Sequence, residues 1–308
     1  MSAKTDSRGN HYHYTKNGLY LTEEQRKFYE ENGYLIVRKL MDPKILDACR
    51  ERFLDFCNNE KSDVKVKQYM IDTYMKRQNA QGENLIHAVL DLLSDEIFFQ
   101  SVLYKPLVDI VESIVGRNIT VCSTLLVNKS PNTVRDYSFR PLHQDLYYFP
   151  FRPANSLVAS WTAMQAIDEK NGCLFVVPGS HKGTLLNHDY PKDVKHRVYE
   201  KVLGLDEIPT VNLVLEKGDT IFFHPLLLHG SRQNTTKNFR KTIYCHYADS
   251  DCHFIDVKGT LQEPVVKILL HGAEKNGMGK ITINKFFNAK SQVIRGRPGR
   301  FQDMESHL

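Results

Sequence analysis

The sequence predicts a mainly β, α+β chain in one domain, with flanking helices. A helical layer comes first, a β core follows, and a short tail closes the chain. Two textures predict this. Residues 21–118 carry helix caps and helical apolar spacing, whereas residues 119–257 break into short apolar runs parted by turn residues. A third observation sets the domain count: no internal repeat and no linker composition interrupts the 308 residues, a length that one large domain can bury around a core.

Taken in order, residues 1–20 are polar and expected to be loose. In "LTEEQRKFYEENGYLIV", Thr22 is placed to cap a helix, Gln25 stands three residues later as in a capping box, and Gly33 ends the helix before an extended Tyr34–Val37. Asp42 and Pro43 open a second helix running to about Asn58. "LIHAVLDLL" and "PLVDIVESIVG" both carry helical spacing, the second ending at Gly116. Beyond Ile119, "WTAMQAIDEKNGCLFVV" predicts a hairpin around Asn171-Gly172, and Glu216–Asp219 predicts the turn from "VNLVL" to "TIFF". The polar residues of 181–210 predict a long loop or lid. The tail, 258–308, joins an apolar "PVVKILLHG" to a basic "RGRPGR".

Composition excludes several classes. Apolar and charged fractions are those of a soluble globular protein, and the net charge of +5 is a mild basic bias that carries little weight. No apolar run approaches the roughly 20 residues of a membrane span. Nucleic-acid binding lacks patterned aromatic support. There is no phosphate-cradling glycine loop, no H-E-x-x-H and no G-x-S-x-G. Cys49, Cys57, Cys122, Cys173, Cys245 and Cys252 form no C-x-x-C, and the first residues lack the apolar core of a secretory signal, so a reducing compartment is expected. The final Ser306, His307 and Leu308 resemble a peroxisomal address of the Ser-Lys-Leu type.

The chemistry begins in "PLHQDLYYFP". In a strand, His143 and Asp145 would share a face while Gln144 points away. Alone, this pair better describes two hydrogen-bonded polar residues without a metal. "GDTIFFHPLLLHGSRQNTTKNFRKTIYCHYA" adds His229, followed by Gly230-Ser231, and Arg240 eleven residues further on. Two histidines and one carboxylate make a facial triad for Fe(II) that leaves positions open for a 2-oxo acid and dioxygen. Arg240 offers a planar, permanently charged fork for the far carboxylate of 2-oxoglutarate, and Ser231 can share it. His224 is the rival for the last ligand position, though it precedes Pro225 and lacks the Gly-Ser. His246 shares strand parity with Arg240 and could line the same cavity or be a core histidine. His181 suits a turn. The cations Lys192, Lys195, His196 and Arg197, and Arg295, Arg297 and Arg300, could meet coenzyme A phosphates or be solvated surface.

From "LTEEQRKFYEENGYLIV" through "PLHQDLYYFPFRP", "WTAMQAIDEKNGCLFVVPGSHKG", "KGDTIFFHPLLLHGS" and "FRKTIYCHYADSDCHFIDVKGT", the chain resembles the phytanoyl-CoA dioxygenase family. The resemblance covers most of residues 20–260. It implies a double-stranded β-helix, or jelly roll, packed by N-terminal helices. It also implies a peroxisomal Fe(II)- and 2-oxoglutarate-dependent dioxygenase that uses O2 to hydroxylate carbon 2 of a 3-methyl-branched fatty acyl-CoA in α-oxidation, with ascorbate as reductant. By the same resemblance His143, Asp145 and His229 match iron ligands and Arg240 and Ser231 the oxo-acid anchor. Trp161, Gln144 and Leu125 match neighbours of the oxo acid, Leu125 standing where relatives have Met. Residues 80–90 show no counterpart for a pocket lysine of such enzymes. An N-terminal peroxisomal presequence of relatives has no match here, which directs attention to Ser306–Leu308 as the signal for an import receptor. Asp145 argues against the related halogenases, which give up that carboxylate. The alternatives are the same oxygenase chemistry on another small molecule, and a jelly-roll binding module without catalysis.

Overall fold

A computed structural model describes residues 4–5, 11–65, 68–131, 138–190, 200–205 and 207–303. Ser306–Leu308 and the cations Lys192, Lys195, His196 and Arg197 lie outside the described residues.

The N-terminal helices form where their local chemistry predicts. Thr22 and Gln25 make a reciprocal capping box on α1 (Glu23–Asn32), and Gly33, at φ 77°, closes it by donating its N–H to the Tyr29 carbonyl. β1 (Tyr34–Val37) follows, then α2 (Pro43–Asn58), capped by Asp42. β2 (Gln68–Ile71) and β3 (Ile86–Leu90) come next. Here the helical expectation for "LIHAVLDLL" fails: its first half is a strand and Leu92–Ser94 is a single 3-10 turn. The reason is burial on both faces. Ala88 lines the interior cavity while Val89 packs under the helices, and an apolar run buried on both sides has no periodicity that separates strand from helix. The layer of residues 21–118 therefore contributes three strands as well as helices, which continue as α3 (Glu96–Val102) and α4 (Lys105–Val115).

The core strands are β4 (Ile119–Lys129), β5 (Arg140–His143), β6 (Leu157–Ala163) and β7 (Leu174–Val176). A short β8–β9 pair (His188–Asp189, Lys201–Val202) occupies the expected lid. Then come β10 (Val211–Leu213), β11 (Thr220–Phe223), β12 (His229–Ser231) and β13 (Arg240–Asp249). The tail folds as α5 (Glu263–Ala273), α6 (Ile283–Asn288) and β14 (Gln292–Arg295). The major sheet runs β1-β11-β6-β13-β4-β3-β2, with β14 also on β4, and the minor sheet β10-β7-β12-β5. Every named pair is antiparallel, as a jelly roll requires.

The predicted hairpin over residues 161–177 does not form. Its turn exists, with the Cys173 N–H donating to Asp168, but β6 pairs with β11 and β13 in the major sheet while β7 pairs with β10 and β12 in the minor one. The turn carries the chain between sheets, and Glu216–Asp219 carries it back from β10 to β11. Strand parity then sorts the long strands. Ile243, Cys245 and Tyr247 of β13 pack against the helices, whereas Arg240, Tyr244 and His246 face the cavity between the sheets.

Candidate active site

The cavity between the sheets has a volume of about 470 Å³ and is lined by residues of both. His143 ends β5 and His229 begins β12, and the two are register partners across the minor sheet, their rings 4.2 Å apart. Asp145 arrives differently from the expectation. It opens a 3-10 turn (Asp145–Tyr148) instead of continuing the strand, and its Oδ1 lies 3.6 Å from Nε2 of each histidine. The three ligand-type atoms all lie within 4.8 Å of one another.

The surroundings decide which atoms are available. Nδ1 of His143 is 2.9 Å from the Pro141 carbonyl and Nδ1 of His229 is 3.0 Å from the Leu227 carbonyl, so each Nδ1 carries the proton and each Nε2 keeps a lone pair toward Asp145. Burial, reinforced by nearby Arg140, pushes His143 down to about 3, and burial lowers His229 as well. Neutral imidazoles are what a metal needs. Burial alone would raise the Asp145 carboxyl, yet His229 and His246 beside it hold it well below the usual carboxylate range. Its Oδ2 accepts from His246 Nε2 at 2.9 Å and from the Tyr244 hydroxyl, leaving Oδ1 to face the histidines. Two neutral nitrogens and one oriented carboxylate oxygen fit a divalent iron.

Gly230 is part of this construction. A Cβ there would come within 2.4 Å of the Phe175 ring and 2.5 Å of the Arg140 carbonyl, so only glycine lets β12 lie between β5 and β7.

The other end of the cavity is cationic. Arg240 is 2% exposed, donates to Thr242 Oγ1 at 2.9 Å, and lies 5.2 Å from the Trp161 ring. Opposite it on β4 is Lys129, 4% exposed, whose Nζ donates to Ser231 Oγ at 2.6 Å and to the Arg232 carbonyl at 2.7 Å. Burial first, then the like charges of Arg240 and Arg140, push Lys129 well below its ordinary range. Leu125 and Trp161 line the same cavity.

Some expected residues are elsewhere. The Gln144 side chain is buried outside the cavity, bonded to the Thr184 and Leu226 carbonyls and the Leu186 N–H, so it ties the lid's base to the ligand turn. His224 is a hydrogen-bonded core histidine, its ring between Asn155 Oδ1 and the Leu226 N–H. His181 serves a turn and meets the Glu30 carbonyl. Arg295 pairs with Asp109 and Glu112, which engages it in holding the tail. Lys129 escaped the sequence reading, although it shares strand parity with Leu125, and Tyr244 stands where its parity with Arg240 and His246 puts it, on the cavity side.

Comparison with known proteins gives the family. The family model described as phytanoyl-CoA dioxygenase (PhyH) matches residues 29–242. The human protein named "Phytanoyl-CoA dioxygenase, peroxisomal" is 42% identical over 92% of this chain and 81% of its own length. The chain belongs to the phytanoyl-CoA dioxygenase family. A Caenorhabditis elegans protein named "Probable phytanoyl-CoA dioxygenase" is 41% identical over 85% of this chain and 86% of its own. Among solved structures, the non-heme α-ketoglutarate-dependent carbocyclase SnoK superposes with a TM-score of 0.55 at 19% identity, covering 82% of this chain and 93% of SnoK. EctD from S. alaskensis gives 0.57 at 16%, covering 78% and 81%, which shows a shared fold. As a phytanoyl-CoA dioxygenase family member the chain is an oxidoreductase of the iron- and 2-oxoglutarate-dependent class.

Proposed function

We propose that this chain is a peroxisomal phytanoyl-CoA 2-hydroxylase of fatty-acid α-oxidation, acting on carbon 2 of a 3-methyl-branched acyl-CoA. It gives 2-hydroxyacyl-CoA, succinate and CO2, with ascorbate maintaining the reduced metal. The observation that carries the reading is the 40–43% identity, over 92% of this chain, to mammalian proteins named "Phytanoyl-CoA dioxygenase, peroxisomal", combined with a complete triad in the cavity.

His143, Asp145 and His229 would hold Fe(II) through two Nε2 atoms and Oδ1. Iron and 2-oxoglutarate together supply dioxygen activation and C–H hydroxylation. Everything else belongs to the chain. Arg240 and Ser231 bind the far carboxylate of the oxo acid, and Lys129 orients the Ser231 hydroxyl by donating to its oxygen. Trp161 and Leu125 wall the oxo acid's carbon chain. Tyr244 and His246 keep Asp145 from rotating, and the apolar part of the wall limits water around the reacting carbon.

An anaerobic titration with Fe(II) and 2-oxoglutarate tests the site, and a turnover panel of branched and straight acyl-CoAs tests the substrate. Acyl-CoA-dependent succinate formation that survives Asp145→Ala would refute the assignment of the triad. Delivery rests on Ser306, His307 and Leu308 as the signal for the import receptor. Deleting them in a tagged chain is expected to leave the protein in the cytosol, and unchanged peroxisomal import would sink that part of the reading.

A further inference from the structure

The family match ends at residue 242, yet the cavity wall does not. Leu269 on α5, Phe286 and Phe287 on α6, and Lys290 just after it all line the same cavity as the iron triad. Their arm begins beside the ligand carboxylate. His246, bonded to Asp145 Oδ2, has its ring 4.5 Å from Phe149, and Phe149 lies 5.9 Å from Phe287. The Lys290 ammonium rests 4.1 Å from the centre of the Phe286 ring and 5.1 Å from that of Phe287, so its stem extends the aromatic wall.

Two other parts of the cavity wall are polar and already engaged. Lys129, Arg240 and Ser231 make one end an anion site, and Arg140, Tyr148 and Glu200 form a hydrogen-bonded polar rim. An acyl-CoA presents an apolar chain on one side of carbon 2 and a polar thioester and nucleotide on the other. The aromatic arm, beginning beside the ligand carboxylate, matches the apolar side.

Resting on the function proposed above, we infer that Phe149, Leu269, Phe286, Phe287 and the Lys290 stem form the acyl-chain subsite. The tail thereby sets chain-length specificity on an oxygenase core that ends before it. The core strands build the metal and oxo-acid sites, and the C-terminal helices supply the wall against which the hydrocarbon packs. Burial of each further methylene there contributes favourably until the arm is full.

Leu269 is the residue to change, because it is half-buried whereas Phe287 is held in a cluster with Phe151 and Phe254. In Leu269→Trp, kcat/KM for a long branched acyl-CoA is expected to fall about tenfold relative to a short one, with Fe(II) and 2-oxoglutarate affinities unchanged within about twofold. Calorimetric titration of the metal-free protein with CoA thioethers of increasing alkyl length supplies a readout independent of turnover. Affinity should rise with length in the wild type and level off early in the variant. Leu269→Ala covers the case in which the bulky variant fails to fold, and should shift preference toward bulkier chains. A wild type that binds acyl-CoA while both variants keep its chain-length profile overturns the subsite alone. A wild type that neither binds nor turns over any acyl-CoA overturns the functional reading, and the subsite with it.

Discussion

Lys129 and Arg240 stand directly opposite each other on the paired strands β4 and β13, both buried and both facing the cavity. Like charges at facing positions of an antiparallel ladder repel, and burial increases the cost. The arrangement makes sense when an anion lies between or beside them, which is the place a dicarboxylate's far end would take.

Replacing Lys129 by Met therefore should not weaken the ligand-free fold through lost charge, because the charge it removes is opposed there. The same change should raise the Kd for 2-oxoglutarate by about tenfold, or about 1.4 kcal/mol. Anaerobic titration measures it directly. An oxo acid lacking the far carboxylate should lose little, so equal losses for both ligands would show that Lys129 acts only on structure.

His246 and the Tyr244 hydroxyl hold Asp145 Oδ2 while Oδ1 faces the histidines. Removing such an orienting partner commonly weakens a metal by about 10–100-fold. His246→Phe should weaken Fe(II) binding in that range and leave the fold intact. Metal affinity equal to wild type would mean the turn geometry alone positions the carboxylate.

Gly230→Ala should be among the costliest single-methyl additions in the protein, since its Cβ would meet the Phe175 ring and the Arg140 carbonyl well inside contact distance. Overpacking of this kind costs about 1–3 kcal/mol. Urea unfolding would show it, and the displaced β12 should weaken iron binding as well. A midpoint unchanged from wild type would contradict the packing described.

Acid should destabilise the metal-free protein through His224. Burial, with His181 beside it, pushes this histidine down to about 3, and its Nδ1 accepts the Leu226 N–H, a bond that protonation abolishes. A depressed folded value means the stabilisation is present above the unfolded value of about 6.5 and is lost as pH falls from there toward 3. The slope contributed is at most about 1.4 kcal/mol per pH unit. In His224→Asn, whose carbonyl can accept the same N–H, stability between pH 6.5 and pH 5 should fall less steeply. Parallel curves for the two proteins would assign the acid sensitivity elsewhere.

Legibility followed locality. Thr22, Gln25, Gly33, Asp42 and Gly116 announce helix ends because capping chemistry spans only a few residues. Asn171-Gly172 announces a turn for the same reason, but a turn does not say which sheet the next strand joins, and here β6 and β7 part company. The ligand pair His143 and Asp145 was visible by spacing, although the strand supplies only the first and a 3-10 turn the second. Lys129 was missed because a strand lysine looks like solvated surface until its register with Arg240 is known, although its parity with Leu125 and Val127 carried a signal.

By itself, then, the sequence determined the helix boundaries, the change from helical to strand texture near residue 119, and through its resemblance the three residues of the candidate metal site. Tertiary structure decided what stands opposite what. It put His143 across from His229, Lys129 across from Arg240, and a tail that looked like an appendage against the metal site as the cavity's aromatic wall. The physical reason is that caps, turns and side-chain parity are properties of a few neighbouring residues. Register and sheet partnership instead come from burying apolar faces contributed by segments far apart in the chain.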